Sequence, residues 1–301
     1  HIGERSLAAL ESTGQALPSA GVPLALTPAF LRRVSGEGLV LPWLRTRQDV
    51  ALIDRLHSRW PALGDADGWH ATFSRELNAS DDRALFEPGV DGLRVIHGRH
   101  LQPFRVDLSL STERVRASAA PAVCRRLPGV AHTRLAYRDV ASAGNRLTLI
   151  AAMLPPSTVS THTVFCLRTR MPVTLQWGLC ALLNSFVANY LVRLRVTTHV
   201  TTQIVHALPV PPASLETPWL NALVRSARAL AGGAAPEGVE YVRVQSLSAL
   251  AYGLDEDELT YVLDTFPLVD ADVRRAVLAD FRALESGHEN VLVMDGDVSR
   301  R

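Results

Sequence analysis

The stretch RLAYRDVASAGNRLTLIAAMLPP, residues 134–156, decides the fold of this chain. It opens with cationic and aromatic side chains at nearly alternate positions, namely Arg134, Tyr137 and Arg138. A small polar segment, 141–146, follows, and an apolar run then ends in two prolines. The pattern predicts a short strand, a polar loop and a buried strand. Such a unit displays arginines and an asparagine from a rigid edge, which suits phosphate groups or base edges.

Charge is distributed unevenly along the 301 residues, although the net charge is only +1. Residues 1–92 hold 9 arginines against 12 acids, a net charge of −3. Residues 93–206 hold 14 arginines against 3 acids, a net charge of +11. Residues 207–301 hold 8 arginines against 15 acids, a net charge of −7. A basic segment between two acidic ones is typical of a nucleic-acid-binding module. The alternative is a basic face that docks a protein partner.

The residue content excludes several classes of site. The chain has no lysine, so neither a P-loop GK[ST] nor the usual nuclease lysine is present. Cys124, Cys166 and Cys180 lack zinc-type spacing, and we expect reduced, mostly buried thiols in a cytoplasmic protein. No apolar run reaches the ~18 residues of a membrane span. The longest, 175–192, contains glutamine, asparagine and serine, so we expect a buried helix there and no membrane partner.

The predicted elements place the chain in the α+β class, with a mixed β-sheet domain, flanking helices and an acidic helical C-terminal part. We divide it into a mostly helical connecting segment (1–92), a basic domain (93–212) and the acidic helical part (213–301). Apolar residues at three- and four-residue steps predict helices over 47–60 and, most clearly, over 174–193.

No catalytic signature is present in the sequence. Methylation of an extruded adenine uses an amide and an aromatic ring, yet the nearest strings, LPPS (154–157) and VPPA (210–213), lack both. His97 and His100 are a near pair, but without the further His or Cys residues that zinc needs. No G-x-S-x-G elbow occurs. The acidic run 255–258 indicates a capped helix start, so we expect no metal site, and enzymatic activity stays open.

Four segments, in this order, resemble the C-terminal target-recognition region of TaqI-like adenine-N6 DNA methyltransferases. That group includes fused restriction–modification enzymes and the methyltransferases of BREX-type phage defence in bacteria. The segments are LRVIHGRHLQPF (93–104), the opening stretch 134–156, LCALLNSFVANYLVRLRV through LPVPP (179–212), and AYGLDEDELTYVLDTFP (251–267). Within the first, His97 stands where the family usually has an acid, and Arg99 stands where it has a lysine.

The resemblance implies a target-recognition domain that reads double-stranded DNA in the major groove. It also implies a partner, a methyltransferase catalytic domain in cis or in trans, which would bind S-adenosylmethionine outside this chain. Because the chain begins at His1 without a methionine, we expect a fragment, an added residue or a processed product. Carried over by position, the expected DNA contacts are Arg99, His100, Arg134, Tyr137, Arg138, Asn145, Arg146, Thr198 and His199.

Two other functions stay open. The chain is alternatively a separate specificity or adaptor subunit that joins a methyltransferase, or a protein-interaction scaffold in a defence complex. Several residues also have structural alternatives: Tyr137 as core, Arg138 paired with its neighbour Asp139, and Asn184 as a bridge inside the fold.

Overall fold

A computed structural model describes residues 26–35, 42–89, 91–212 and 218–298. Ten α-helices lie in these ranges: α1 Pro28–Ser35, α2 Arg47–Arg59, α3 Ala120–Arg126, α4 Val173–Leu183, α5 Phe186–Arg193, α6 Thr202–His206, α7 Pro218–Ala231, α8 Val239–Tyr252, α9 Glu256–Asp264 and α10 Ala271–Val298. The strands are β1 Thr72–Ser74, β2 Phe86–Pro88, β3 Leu93–Ile96, β4 Leu101–Gln102, β5 Arg105–Val106, β6 Glu113–Val115, β7 Arg134–Arg138, β8 Ala151–Leu154, β9 Thr158–Ser160 and β10 Val164–Arg168. The protein therefore has the α+β fold that the sequence predicts.

The strands form three small sheets. The first has the order β1-β10-β7-β8 and is antiparallel throughout. The second has the order β2-β6-β3-β9 and is mixed, because β3 and β9 run parallel. The hairpin β4-β5 joins the first sheet through a bridge between Phe104 and Ala152. After β9 and β10, the chain within the described ranges continues as helices α4 to α10.

The opening stretch forms the β7-β8 hairpin on one side of the first sheet, with Arg134 opposite Leu154 and Tyr137 opposite Ala151. The strand–loop–strand prediction is therefore confirmed, but β8 begins later than the apolar run does. Thr148 and Leu149 donate their main-chain N–H groups to Asn189 Oδ1, each at 2.8 Å, instead of to a strand. The Asn189 side chain thus accepts the hydrogen bonds that a neighbouring strand would otherwise accept.

The continuous helix expected over 174–193 is wrong, because the chain breaks at Asn184 and Ser185. Helices α4 and α5 meet at 60°. Ser185 caps α5 by accepting a hydrogen bond from Ala188 N at 3.1 Å. Asn184 bridges α4 to β8, since its amide bonds both the N–H and the C=O of Ala151 at 3.1 and 2.9 Å. The alternative of Asn184 as a bridge is confirmed.

Within the described residues, no single helix is long and apolar enough to cross a membrane. Only α4 and α5 taken together meet the length and composition of a span.

One large hydrophobic core extends from Phe30 in α1 to Phe281 in α10 and takes residues from each of the three predicted segments. Helices α4 and α5 form its middle, pressed against β7 and β8 on one side and α8 on the other. A smaller cluster lies beneath the second sheet, where Val95, Val115 and Val159 pack with Val123 of α3. The second sheet therefore rests mainly on the smaller cluster, while Ile96 of β3 reaches into the large core.

A buried ion pair joins the two sheets. Arg134 of β7 donates to both oxygens of Glu76, each at 2.8 Å, and also to the carbonyl of Thr158 in β9 at 2.9 Å. Ser160 of β9 donates its N–H to the same carboxylate at 2.7 Å. Burial opposes ionisation of Glu76, but the charge and hydrogen bonds of Arg134 outweigh it and lower the pKa of Glu76.

We expect Glu76→Gln to lower the free energy of unfolding by about 3–5 kcal/mol, because the Arg134 charge would remain buried without a counter-charge. Urea denaturation of wild type and variant measures this difference. The matched control is Glu87→Gln at an exposed carboxylate, for which a change within about 0.5 kcal/mol is expected. Equal stability of the two variants would contradict the role of the pair.

Candidate nucleic-acid interface

A cleft of about 1070 Å³ opens between the edges of the two sheets. One wall is the turn 97–99 together with Glu113 of β6, and the other is Arg138 with the loop that follows β7. The lining residues are Pro88, His97, Gly98, Arg99, Thr112, Glu113, Arg138, Val140, Ala141, Ser142, Asn145, Thr163 and Thr198.

Four of the nine expected contact residues line this cleft, namely Arg99, Arg138, Asn145 and Thr198. They come from three segments that lie far apart in the sequence, since Arg138 and Asn145 both belong to the opening stretch. The segment of Thr198 reaches the cleft because it pairs with the loop of the opening stretch: Ala141 N donates to Thr198 O at 3.2 Å. The arginine, asparagine and threonine side chains converge there because of the sheet topology.

Gly98 allows the turn 97–99 to lie against the stem of Arg138. A Cβ atom at this position would lie 2.9 Å from Arg138 Cγ and 3.0 Å from the carbonyl oxygen of Thr163. The Gly98 N–H donates to Thr163 Oγ1 at 2.9 Å, which fixes the turn on β10. The glycine is thus required by close approach, and it sets the width of the cleft at this point.

Arg138 is the partly buried cation of the cleft. Its Nε atom is buried and has no hydrogen-bond partner among the described residues. Burial lowers the pKa of its guanidinium. The alternative pairing with Asp139 is wrong, because that carboxylate lies 3.4 Å from Arg75 and 3.3 Å from His199 instead. A desolvated guanidinium without a carboxylate partner is suited to bind an acceptor group supplied by a ligand.

His97 and Glu113 are cleft residues that the expected contacts omit. His97 Nε2 lies 2.8 Å from Glu113 Oε2, and its Nδ1 lies 3.2 Å from Thr161 Oγ1. The hydrogen bond from His97 lowers the pKa of Glu113 although burial opposes this. Glu113 is one of only three acids in the basic segment, a signal that was visible in the sequence. The cleft therefore carries a carboxylate in the same lining as its arginines, although Arg83 also lies 3.2 Å from Glu113 Oε1.

Three of the expected contact residues lie inside the fold. Arg134 is held by Glu76, as described above, and is 4 % exposed. Tyr137 is fully buried between the rings of Phe73 and Phe165, with centroids at 5.0 and 5.3 Å. The structure thus places Tyr137 as core, the alternative that the sequence left open. His100 is also fully buried, and its Nδ1 accepts from His97 N at 3.2 Å.

The two remaining residues lie outside the cleft lining. Arg146 forms an ion pair with Glu237 and lines a small cavity with Tyr241, on the side of the helical part. His199 is exposed and lies beside Asp139, the first residue after β7. The structure gives both side chains protein partners.

Several other arginines of the basic segment face solvent. Among the described residues, none of the following forms an ion pair with a carboxylate: Arg99, Arg116, Arg125 and Arg170. Exposed arginines of this kind suit phosphate oxygens, which take more than half of protein–DNA hydrogen bonds.

A scan against protein-family models finds no match for this chain, and a search of curated proteins finds none either. The chemistry of the cleft is therefore the main guide to function. In the described part of the chain, no group of three His, Cys, Asp or Glu side chains is placed to hold a metal ion. The three cysteines are free thiols, and burial raises the pKa of Cys166 to about 12.

Because His100 is buried, we expect the folded protein to lose stability on acidification. Burial, and next the neighbouring His97 and Arg99, lower the pKa of His100 from 6.5 to about 4. Between these values the unfolded chain takes up a proton that the folded chain excludes, so stability falls as the pH falls. We expect up to about 1.4 kcal/mol per pH unit from this residue.

Urea denaturation of wild type and His100→Gln across this pH range measures the effect. The variant should show the smaller pH dependence, while the contributions of His57 and His206, whose pKa values burial also lowers, stay common to both proteins. Identical slopes of the unfolding free energy against pH in the two proteins would contradict the role given to His100.

Proposed function

We propose that this chain binds double-stranded DNA in a sequence-specific manner, as the target-recognition part of a bacterial adenine-N6 DNA methyltransferase. The group that the chain resembles includes restriction–modification and phage-defence enzymes, and the proposal extends to these. The observation that carries the proposal is the convergence of Arg99, Arg138, Asn145 and Thr198 on one cleft. The four motifs shared in order with the TaqI-like family support it.

The chemistry of the cleft suits base edges better than phosphate alone. Arginine binds the O6 and N7 atoms of guanine, asparagine binds the N6 and N7 atoms of adenine, and a carboxylate accepts from N4 of cytosine. Arg138, Asn145 and Glu113 supply these three groups in one place. A site for phosphate alone would be weakened by the Glu113 carboxylate, because the two negative charges repel.

Phosphate contacts would come from the exposed arginines around the basic segment, which neutralise the backbone without reading sequence. The turn 97–99 contributes Arg99, whose side chain is exposed at the rim of the cleft. In this arrangement the rim orients the duplex, and the partly buried Arg138 contacts a base.

Methyl transfer would take place on a catalytic domain joined in cis or in trans, and S-adenosylmethionine would supply the methyl group there. The sequence has no Asn-Pro-Pro-aromatic loop to hold an extruded adenine. The part proposed for this chain is to select the duplex and hold it in register.

We expect the affinity for duplex DNA to fall steeply with salt. If six to ten phosphates are engaged, the association constant should fall by about 10³–10⁵ between ~50 and ~200 mM salt, because condensed counterions are released on binding. Fluorescence anisotropy with a labelled random-sequence duplex measures this without knowledge of the target. Tight binding to an acidic protein, with no binding to the duplex at low salt, would instead favour the scaffold function.

We expect Arg138→Ala to relax specificity at one base position, at a cost of about 1–3 kcal/mol. Duplexes selected from a random pool by the wild type and by the variant, then sequenced, give the preference at each position. The matched control is Arg225→Ala, an exposed arginine of α7, which should keep the wild-type preference. A uniform loss at all positions would assign Arg138 to phosphate. An unchanged preference and affinity would remove the cleft from the interface.

A further inference from the structure

A second cavity, of about 780 Å³, lies on the other side of the loop that follows β7. The two cavities share that loop as a wall, since Asn145 lines the cleft and Ala143 lines the second cavity. They share the 196–198 segment in the same way. The part of the lining that matters here comprises Trp43, Arg45, Asp49, Arg193, Arg195 and Tyr261. None of these residues belongs to the proposed DNA-reading cleft.

An exposed indole stands at this cavity. Trp43 is 74 % exposed, whereas Trp69 in the core is 4 % exposed. The main chain of Trp43 is fixed, because its N–H donates to Leu194 O at 2.6 Å. A large aromatic side chain on an anchored main chain, left open to solvent, is suited to stack on a planar ring of a ligand.

Arg195 supplies a cation that no carboxylate neutralises. Its Nη2 lies 2.6 Å from His57 Nε2, and His57 Nδ1 lies 3.0 Å from the carbonyl of Ile53. Burial, and next Arg195 itself, lower the pKa of His57 to about 3, so the imidazole is neutral and accepts from Arg195. No ion pair of Arg195 occurs among the residues that the structure describes. A partly buried, uncompensated charge is costly unless an anion binds it.

Two further arginines add to this positive field. The guanidinium of Arg193 lies 4.0 Å from the ring centre of Phe266 and donates to Thr265 O at 2.9 Å. Burial, and next the charge of Arg45, lower the pKa of Arg193 to about 10, which leaves it cationic at neutral pH. Arg45 is exposed. Like charges are therefore held close together at the cavity.

The acids of the cavity do not balance these charges. The buried carboxylate of Asp49 already accepts from the N–H groups of Arg45 and Thr46 and from the hydroxyls of Tyr190 and Tyr261. Asp264, the other acid of the lining, is 73 % exposed and lies 3.5 Å from Arg274. The site keeps net positive character, and its volume falls in the range of about 300–1,000 Å³ usual for small-molecule sites.

We propose that this cavity binds a nucleoside phosphate, with the base stacked on Trp43 and the phosphate held by Arg195 and Arg45. The arginine fork matches phosphate oxygens, and indole stacks on any base. The proposal does not rest on the proposed function, because none of its residues lines the cleft that would read DNA.

Calorimetric titration of the whole chain with the four nucleoside monophosphates tests the proposal. We expect at least one to bind, and the matching nucleoside and inorganic phosphate, each tested alone, to bind at least about tenfold more weakly, because each lacks one half of the recognition. A short single-stranded oligonucleotide distinguishes the source of the ligand. If the protein bound this oligonucleotide more tightly than every mononucleotide, the ligand of the site would be a nucleotide within a single strand.

Trp43→Ala and Arg195→Gln should each weaken binding by at least about tenfold. Trp43→Ala changes an exposed side chain, so it tests the site even if Arg195→Gln fails to fold. The matched control is Leu268→Ala, an exposed apolar residue outside the cavity, which should bind as the wild type does. The proposal would be overturned if none of the nucleotides bound, or if neither substitution weakened binding. Arg138→Ala should bind the nucleotide as the wild type does, because Arg138 does not line the second cavity.

Discussion

The placement of the cleft depends on one buried ion pair. Glu76 receives two hydrogen bonds from Arg134 in the first sheet and one from the main chain of Ser160 in the second. Ile96 of the second sheet reaches into the large core, but apolar contacts are non-directional and do not by themselves fix the angle between the sheets. The buried ion pair of Glu76 and Arg134 fixes this angle, because its directional hydrogen bonds tolerate little change in geometry. The two walls of the cleft are therefore held at a defined distance by a contact inside the fold.

Local elements were largely predictable from the sequence. Helix α2 and the β7-β8 hairpin follow from apolar spacing and from turn or cap residues close in the chain. The break between α4 and α5 was not predictable, because its cause is long-range. Asn184 bonds Ala151, which lies 33 residues earlier. A buried amide that satisfies a distant strand has the same one-letter code as an amide on a helix surface, and helical periodicity cannot distinguish them.

The sequence predicted only part of the candidate site, because it shows where the arginines are but not which of them pair with a carboxylate. Arg134 and Arg138 lie in one strand, yet the first meets Glu76, and the second meets no carboxylate among the residues that the structure describes. A sequence count assigns both to a segment of net charge +11. Several other arginines of that segment are also structural: Arg114 donates to Ser111 O, Arg146 pairs with Glu237, and Arg168 donates to Ser74. The charge available to a ligand is therefore smaller than the net charge of the segment.

The arginines that line the two cavities lie on opposite sides of the loop 141–146. Arg138 and Arg99 lie on the cleft side, while Arg195 and Arg193 lie on the side of the second cavity. Arg193 ties the groups together, because it donates to the carbonyls of Asn145 and Arg146 and to Thr148 Oγ1. From the side of the second cavity, this one guanidinium therefore holds the loop that carries Asn145 at the cleft.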